Sequence, residues 1–225
     1  MKIKQTLIVI TILGCLFACK KWKEPTDVNF FVDIEKSATL GGQLTFTGGQ
    51  INIEYIDFDG DREKGDGVHF TKDFNNGLLI PFNESQSIAG LEFVIPQGEY
   101  NRIDIEFKTV DDNGAVCILV EGNYVYAGGG SIPFRFEFTD SKQFKIRAEY
   151  KNGGNILLDK DISSSAKIVL DPNYWFQPVP TSYFENADVS NISGINTILI
   201  NKDNNDLIYD IVLNRLDESA IVVFN

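Results

Sequence analysis

Apolar and polar side chains alternate along most of this chain. Phe30, Val32 and Ile34 recur at every second position, as do Ile51, Ile53 and Tyr55. That is the period of a strand with one face buried. Clusters of turn formers separate the runs and predict antiparallel hairpins, since Asn-Gly and Gly-Gly supply the positive φ angles of two-residue turns. Asp112-Asn113-Gly114 stands between 101–110 and 115–121, Glu121-Gly122-Asn123 precedes 123–127, and Asn152-Gly153-Gly154-Asn155 separates 142–150 from 155–159. With no helical period over residues 28–171, the pattern predicts a mainly all-β fold, an antiparallel immunoglobulin-like or Greek-key β-sandwich. Gly98-Glu99-Tyr100, entering a strand after Ile95-Pro96-Gln97, reads as a tyrosine corner, in which the hydroxyl bonds back to the main chain and pins a crossover.

The character changes after Pro172. Residues 172–225 read as a C-terminal extension of a single domain spanning 28–225. Leu207, Ile208, Ile211, Val212 and Leu216 form a helical stripe behind an Asn/Asp cap, which predicts a short helix over 205–217. A hairpin of 197–201 with 207–213 about Asp203-Asn204-Asn205 competes with it, because alternate residues there are also apolar. Ala220-Ile221-Val222-Val223-Phe224 reads as a last strand or an apolar tail.

Composition agrees with the sheet: Ile (26) and Phe (17) far outnumber Ala (9). At the N-terminus Lys2 and Lys4 precede an apolar run from Thr6 to Ala18, then Cys19. This is a secretory signal too short to span a bilayer. Leu16-Phe17-Ala18-Cys19 has the form of a lipobox, so residues 1–18 are expected to be removed and Cys19 to be acylated, with 19–27 as a tether. Cleavage before Cys15 leaves a shorter apolar core and fits less well. Three acyl chains give stable anchoring.

Acidic side chains (32) exceed basic ones (20), and the lost signal takes two lysines with it. No nucleic acid is expected as a partner of so acidic a chain. Its one histidine, His69, rules out a multi-histidine metal site and reads as an ordinary strand residue. Cys117, in the apolar run 115–120, is expected to be a buried packing residue.

Four features carry candidate chemistry. Asp57, Asp59, Asp61 and Asp66 crowd a segment that offers oxygen ligands to calcium; the first three match the start of an EF-hand loop, but Arg62 stands where glycine is required and Val68 where the bidentate Glu belongs. Another calcium loop or a solvated acidic turn remains. Asp203-Asn204-Asn205-Asp206 reads as turn or cap. Tyr174, Trp175 and Gln177, with Tyr183 and Glu185 nearby, form a candidate sugar platform; the competing reading buries Trp175 and Phe176 in the core. Glycosidase chemistry needs only two carboxylates, and no pair stands out among 32 acids.

The lipobox, Ile95-Pro96-Gln97-Gly98-Glu99-Tyr100 leading into Arg102-Ile103-Asp104-Ile105-Glu106-Phe107, and Val169-Leu170-Asp171-Pro172-Asn173-Tyr174-Trp175-Phe176 together resemble the β-sandwich lipoproteins of Bacteroidetes that carry domains of unknown function. The likeness covers roughly residues 19–176, and the tail 192–225 also resembles a recurring ending in such proteins. It implies an outer-membrane lipoprotein with a sandwich body and no catalytic residues. Surface-exported members carry an acidic run after the cysteine; Lys20-Lys21-Trp22-Lys23 stands here instead, which favours the periplasmic face. The expectation is a lipid-anchored, non-catalytic protein that binds or scaffolds an envelope component, a glycan among the candidates. The alternatives are a carboxylate-dependent glycan hydrolase and a structural or adhesin subunit with an open edge strand.

Overall fold

The computed structural model describes residues 24–82, 89–111 and 114–225. The expected signal over 1–18, Cys19 and Lys20-Lys21-Trp22-Lys23 lie outside the described residues. The fold is all-β in the main, with thirteen strands in one hydrogen-bonded network. In chain order these are β1 (Pro25–Ile34), β2 (Leu44–Arg62), β3 (Val68–Pro81), β4 (Glu92–Pro96), β5 (Gly98–Thr109), β6 (Ile118–Val125), β7 (Ser131–Phe138), β8 (Gln143–Tyr150), β9 (Ile156–Leu158) and β10 (Ser164–Leu170). After them come helices α1 (Pro172–Phe176) and α2 (Thr181–Glu185), strands β11 (Val189–Ile192) and β12 (Ile195–Ile200), helix α3 (Asp206–Leu213) and strand β13 (Ile221–Phe224).

β2 is 19 residues long and organises the rest. Along one edge it pairs with β3; along the other it pairs first with β6, over Leu44–Ile51, and then with β5, over Ile53–Arg62. The change of partner falls at Asn52, whose N–H donates to the Cys117 carbonyl (2.8 Å) and whose carbonyl accepts from the Val110 N–H (3.1 Å). A register shift follows at once, between Ile53 and Tyr55. The sheet therefore forks. One arm runs β6-β7-β12-β11, and the other runs β5-β8-β13-β10-β1-β4.

The second arm curls back over β2 and β3. Val32 of β1 and Ile168 of β10 line a small internal void together with Ile51, Ile53, Ile56 and Phe107, so two sheet layers face each other across the core. The roll is closed by side chains: Phe70 of β3 meets Phe93 of β4 with ring centroids 5.5 Å apart, and the Lys72 ammonium lies 5.2 Å from the Phe93 ring while donating to the Gly90 carbonyl (2.6 Å). The helices cover the inner face of the first arm. Asp171 caps α1 by accepting from the Tyr174 N–H (3.1 Å), Pro172 opens the helix, and Phe176 packs 5.7 Å from Phe134 and 5.8 Å from both Phe46 and Phe136.

The tyrosine corner is present. Tyr100 is fully buried and its hydroxyl donates to the Pro96 carbonyl at 2.6 Å, at the point where the chain passes from β4 in one layer to β5 in the other. Burial pushes this phenol up to about 12. Helix α3 also matches the sequence pattern, ending at Leu213 rather than 217, and β13 is a true last strand whose Val222 and Phe224 are buried.

Other expectations are corrected. The sheet is mixed: β1 with β10, β12 with β7 and β13 with β8 are parallel pairs. Parallel neighbours need long connections, and the segment after Pro172 supplies them for β12 and β13, so residues 172–225 are built into the ladder instead of extending from it. Residues 25–27, expected in the tether, begin β1, with Pro25 opposite Pro96. The predicted hairpins do not form. β5 and β6 lie end to end along β2, and β8 and β9 lie end to end along β5, so β6 resumes the direction of β5 and β9 that of β8; Asp112 and Asn113 lie outside the described residues. Glu121-Gly122-Asn123 is mid-strand, because Gly122 lets β2 and β6 approach: a Cβ there would sit 1.9 Å from the Thr45 carbonyl oxygen and 2.4 Å from the Phe134 ring.

Two substitutions test this framework. Tyr100→Phe leaves the Pro96 carbonyl without its donor and should lower the free energy of unfolding by about 1–2 kcal/mol, read from urea melts. Gly122→Ala should cost about 3 kcal/mol or more, because backbone must move, whereas Gly128→Ala, with open space around it, should be close to neutral.

Candidate binding cleft

The outer face of β2, β5 and β8 carries the acidic residues singled out for calcium. Asp57, Asp59 and Asp61 do share one face, as alternate positions must, but each faces a protein partner. Arg102 bonds Asp61 (2.6 Å), Asp104 (2.6 Å) and Asp59 (3.2 Å), and Arg147 pairs with Asp104 from the next strand. Asp57 accepts from the Thr71 hydroxyl (2.5 Å), with His69 Nε2 at 3.7 Å. Asp66 lies in the β2–β3 turn, where its main-chain carbonyl accepts from Arg62 Nε (2.8 Å). Among the described residues no three His, Cys, Asp or Glu side chains come together as a metal cage. The face is a cross-strand charge ladder: Asp61 sits opposite Arg102, Asp104 opposite Arg147 and Glu106 opposite Lys145, while Asp57 and Asp59 lie across from Glu106 and Asp104, and Arg102 bridges Asp59 to its neighbours.

The ladder sets the local protonation. The hydrogen bond from Arg102 holds the Asp61 carboxyl below its ordinary range. Burial opposes the same shift at Asp104, but the bonds from Arg147 and Arg102 outweigh it. Burial and the hydrogen bond to Glu106 (2.9 Å) raise the Tyr55 phenol to about 12.

Trp175 corrects the proposed sugar platform. It is fully buried, and its indole N–H has no acceptor, so no ring face is offered to a ligand. Tyr174 points elsewhere: the Arg215 guanidinium lies 3.5 Å from its ring centroid and its hydroxyl donates to Glu218 (3.1 Å). Gln177 is exposed beyond α1, separate from both. Cys117 is buried, its Sγ donating to the Asp140 carbonyl at 3.0 Å, and burial pushes its thiol up.

An open cleft of about 590 Å³ lies between α2 with the loop after it and the 203–208 segment that begins α3. Its walls are fixed from beneath. Phe184 is buried, stacked on Tyr124 at 4.8 Å, and Glu185 accepts from the Tyr124 hydroxyl (2.7 Å) and the Ala127 N–H (2.9 Å). Those two bonds, the Ala127 N–H above all, hold the Glu185 carboxyl below its usual range. With Phe184 turned into the core and Glu185 held by Tyr124 and Ala127, Tyr183 is left 37% exposed on the cleft wall. On the opposite wall Leu207 is 61% exposed, although the helical stripe placed it inside.

Asn205 ties the two walls together. It stands at the N-cap position of α3 in a left-handed conformation (φ 51°), but its side chain makes no cap bond. Its amide instead donates to the carbonyls of Asp188 (3.0 Å) and Leu199 (2.7 Å) and accepts from the Asp188 N–H (2.9 Å). Asn201 holds the preceding turn, its side-chain oxygen accepting from the N–H groups of Asp203 (3.0 Å) and Asn204 (2.9 Å). The cleft thus offers Tyr183 and Leu207 as apolar surfaces, Asn186 and Asn204 as amides, and the carboxylates Asp188, Asp203 and Asp206. No lysine or arginine lines it, and Lys202 beside it is paired with Asp140 (3.1 Å). Such a lining suits a neutral or cationic polyhydroxy ligand and repels phosphates and acidic sugars. Sequence reasoning named Tyr183 only as a neighbour of Trp175 and read Asp203 to Asp206 as turn formers; nothing in the period of either segment signals that they face each other.

Set against known proteins, the chain matches no family model, no curated protein and no solved structure. Its chemistry is therefore read from this geometry alone.

The charge ladder makes a prediction about acid stability. A carboxylate whose pKa is lower in the folded chain contributes stability above its unfolded value and loses it as pH falls toward the folded one. Melting temperature should hold at neutral pH and fall once pH drops below about 4, where unfolded carboxylates begin to bind protons. Asp104→Asn should flatten that fall in a pH series of thermal melts.

Proposed function

We propose that this protein is a non-catalytic, lipid-anchored envelope protein whose body binds a neutral polyhydroxy ligand, carbohydrate in class, in the cleft between Tyr183 and Leu207. The observation that carries this reading is the cleft itself, lined by an exposed aromatic ring, an exposed aliphatic side chain, amides and carboxylates, with Glu185 and Asn205 hydrogen-bonded behind its walls. Sugar rings present one apolar face and a rim of hydroxyls, and this lining complements both.

The anchor reading rests on the lipobox at Cys19, and the outer membrane's periplasmic face follows from the basic residues that come after it. The body is read as an immunoglobulin-like sandwich, supported by the Tyr100 corner and by the void shared between two facing layers. This shape suits a tethered receptor. The body begins beside Gln97, at the Arg62 end of β2, while the cleft adjoins Ile200, which aligns through Phe136 and Val120 with Gly49. Thirteen residues of strand separate Gly49 from Arg62, roughly 40 Å at about 3.3 Å each. The cleft would stand well clear of the tether.

Tyr183→Ala tests the proposal, since the side chain is on the surface and its loss leaves Phe184 and Glu185 in place. On a panel of neutral oligosaccharides the native body should bind at least one, and the variant should bind it about tenfold more weakly. Binding that is unchanged in Tyr183→Ala, or absent across the panel, contradicts the reading. Release of shortened oligosaccharides during the assay would instead favour the hydrolase, with Asp188 and Asp203 as the carboxylates to substitute.

A further inference from the structure

The pole where the body meets its tether carries exposed apolar side chains. The described chain starts at Glu24, whose carbonyl accepts from the Gln97 N–H (2.9 Å) and whose carboxylate pairs with Lys160 (2.5 Å). Thr26 donates to the Asp159 carbonyl (3.1 Å). Residues 159–161 therefore sit directly against the point of exit. On either side of them Leu157 is 54% exposed and Ile162 is 61% exposed. Leu157 lies on β9 opposite Glu99, at the same end of the sheet, and Ile162 follows a tight turn in which its N–H donates to the Asp159 carbonyl (3.1 Å). Two large aliphatic groups beside the tether thus leave more than half of their surface in water.

The reach of the tether says what can cover them. Cys19 and Glu24 are five residues apart, so even a fully extended chain separates them by no more than about 18 Å. If Cys19 is acylated, this pole cannot leave the neighbourhood of the head groups. We infer that the body rests on the membrane through Ile162 and Leu157, which enter the same leaflet as the acyl chains. The inference depends on the anchor reading above but not on the cleft. Between the two side chains Lys160 is matched by Glu24 and the Asp159 carboxylate accepts from the Asp161 N–H (2.9 Å), so the patch keeps the negative charge of Asp159 and Asp161 and suits a zwitterionic surface better than an anionic one. Docking in this way would fix the orientation of a body that a five-residue tether alone leaves free to tumble, and would direct the Tyr183 cleft away from the bilayer.

Site-specific fluorescence tests it in the acylated full chain reconstituted into phosphatidylethanolamine-rich vesicles. Ile162→Cys carries a polarity-sensitive label; Cys117 is buried and an acylated Cys19 is blocked, so the new thiol alone reacts. Ile195→Cys, on the β11–β12 hairpin and 57% exposed, is the comparison. The label at 162 should shift to the blue on vesicles, be quenched by brominated lipid and resist aqueous iodide severalfold better than the label at 195. Equal iodide quenching at both positions, with the mass of the N-terminal peptide showing acylated Cys19, would overturn the inference and leave the anchor standing. A peptide mass without acyl chains would overturn the anchor, and this inference with it.

Discussion

A strand has two hydrogen-bonding edges, and β2 gives one of its edges to two different partners. That division is the constraint on which the fold depends. Asn52 marks the point of change, bonded through its N–H and its carbonyl to the two ends of the β5–β6 connection. Upstream, β6 begins an arm whose inner face is closed by helices; downstream, β5 begins an arm that curls back until Phe93 meets Phe70. The close approach of β2 to β6 demands Gly122, and the passage between layers on the other arm demands the Tyr100 bond to Pro96. Burial supplies most of the stability, as in any domain of this size, but these contacts decide which burial takes place.

The cleft is a product of the first arm. Phe134, Phe136 and Tyr124 of β6 and β7 provide an aromatic floor, and the short helices are too small to hold a fixed position without it. Phe176 and Phe184 anchor them there. What remains exposed, Tyr183 on one wall and Leu207 on the other, is what the floor does not need. The acidic outer face belongs to the second arm and is a different kind of surface: its carboxylates are spent on arginine, threonine and tyrosine partners along the sheet.

Much of the β character was legible in the sequence, since a period of two survives wherever one face of a strand is buried. The Tyr100 corner and α3 were legible for the same reason, each being a local pattern with a local consequence. The forked topology was not. Asn-Gly and Gly-Gly report that the main chain departs from extended geometry, and they are silent on whether it then reverses or resumes its line, as it does after Asn155. The side chain of Asn205 shows the same limit in miniature. Asparagine before a helix suggests a cap, yet its partners are Asp188 and Leu199, set by a hairpin that no local rule places nearby. Trp175 could be read in two ways from its neighbours, and packing against a three-dimensional core decided between them.

The proposed ligand site is the Tyr183–Leu207 cleft. Amide chemical-shift mapping of the isotopically labelled body during titration with a neutral oligosaccharide measures this most directly. Shifts should concentrate at residues 182–188 and 203–208, with the outer charge ladder around Arg102 unmoved. Shifts gathered on that ladder, or scattered without a focus while the sugar binds, would contradict it.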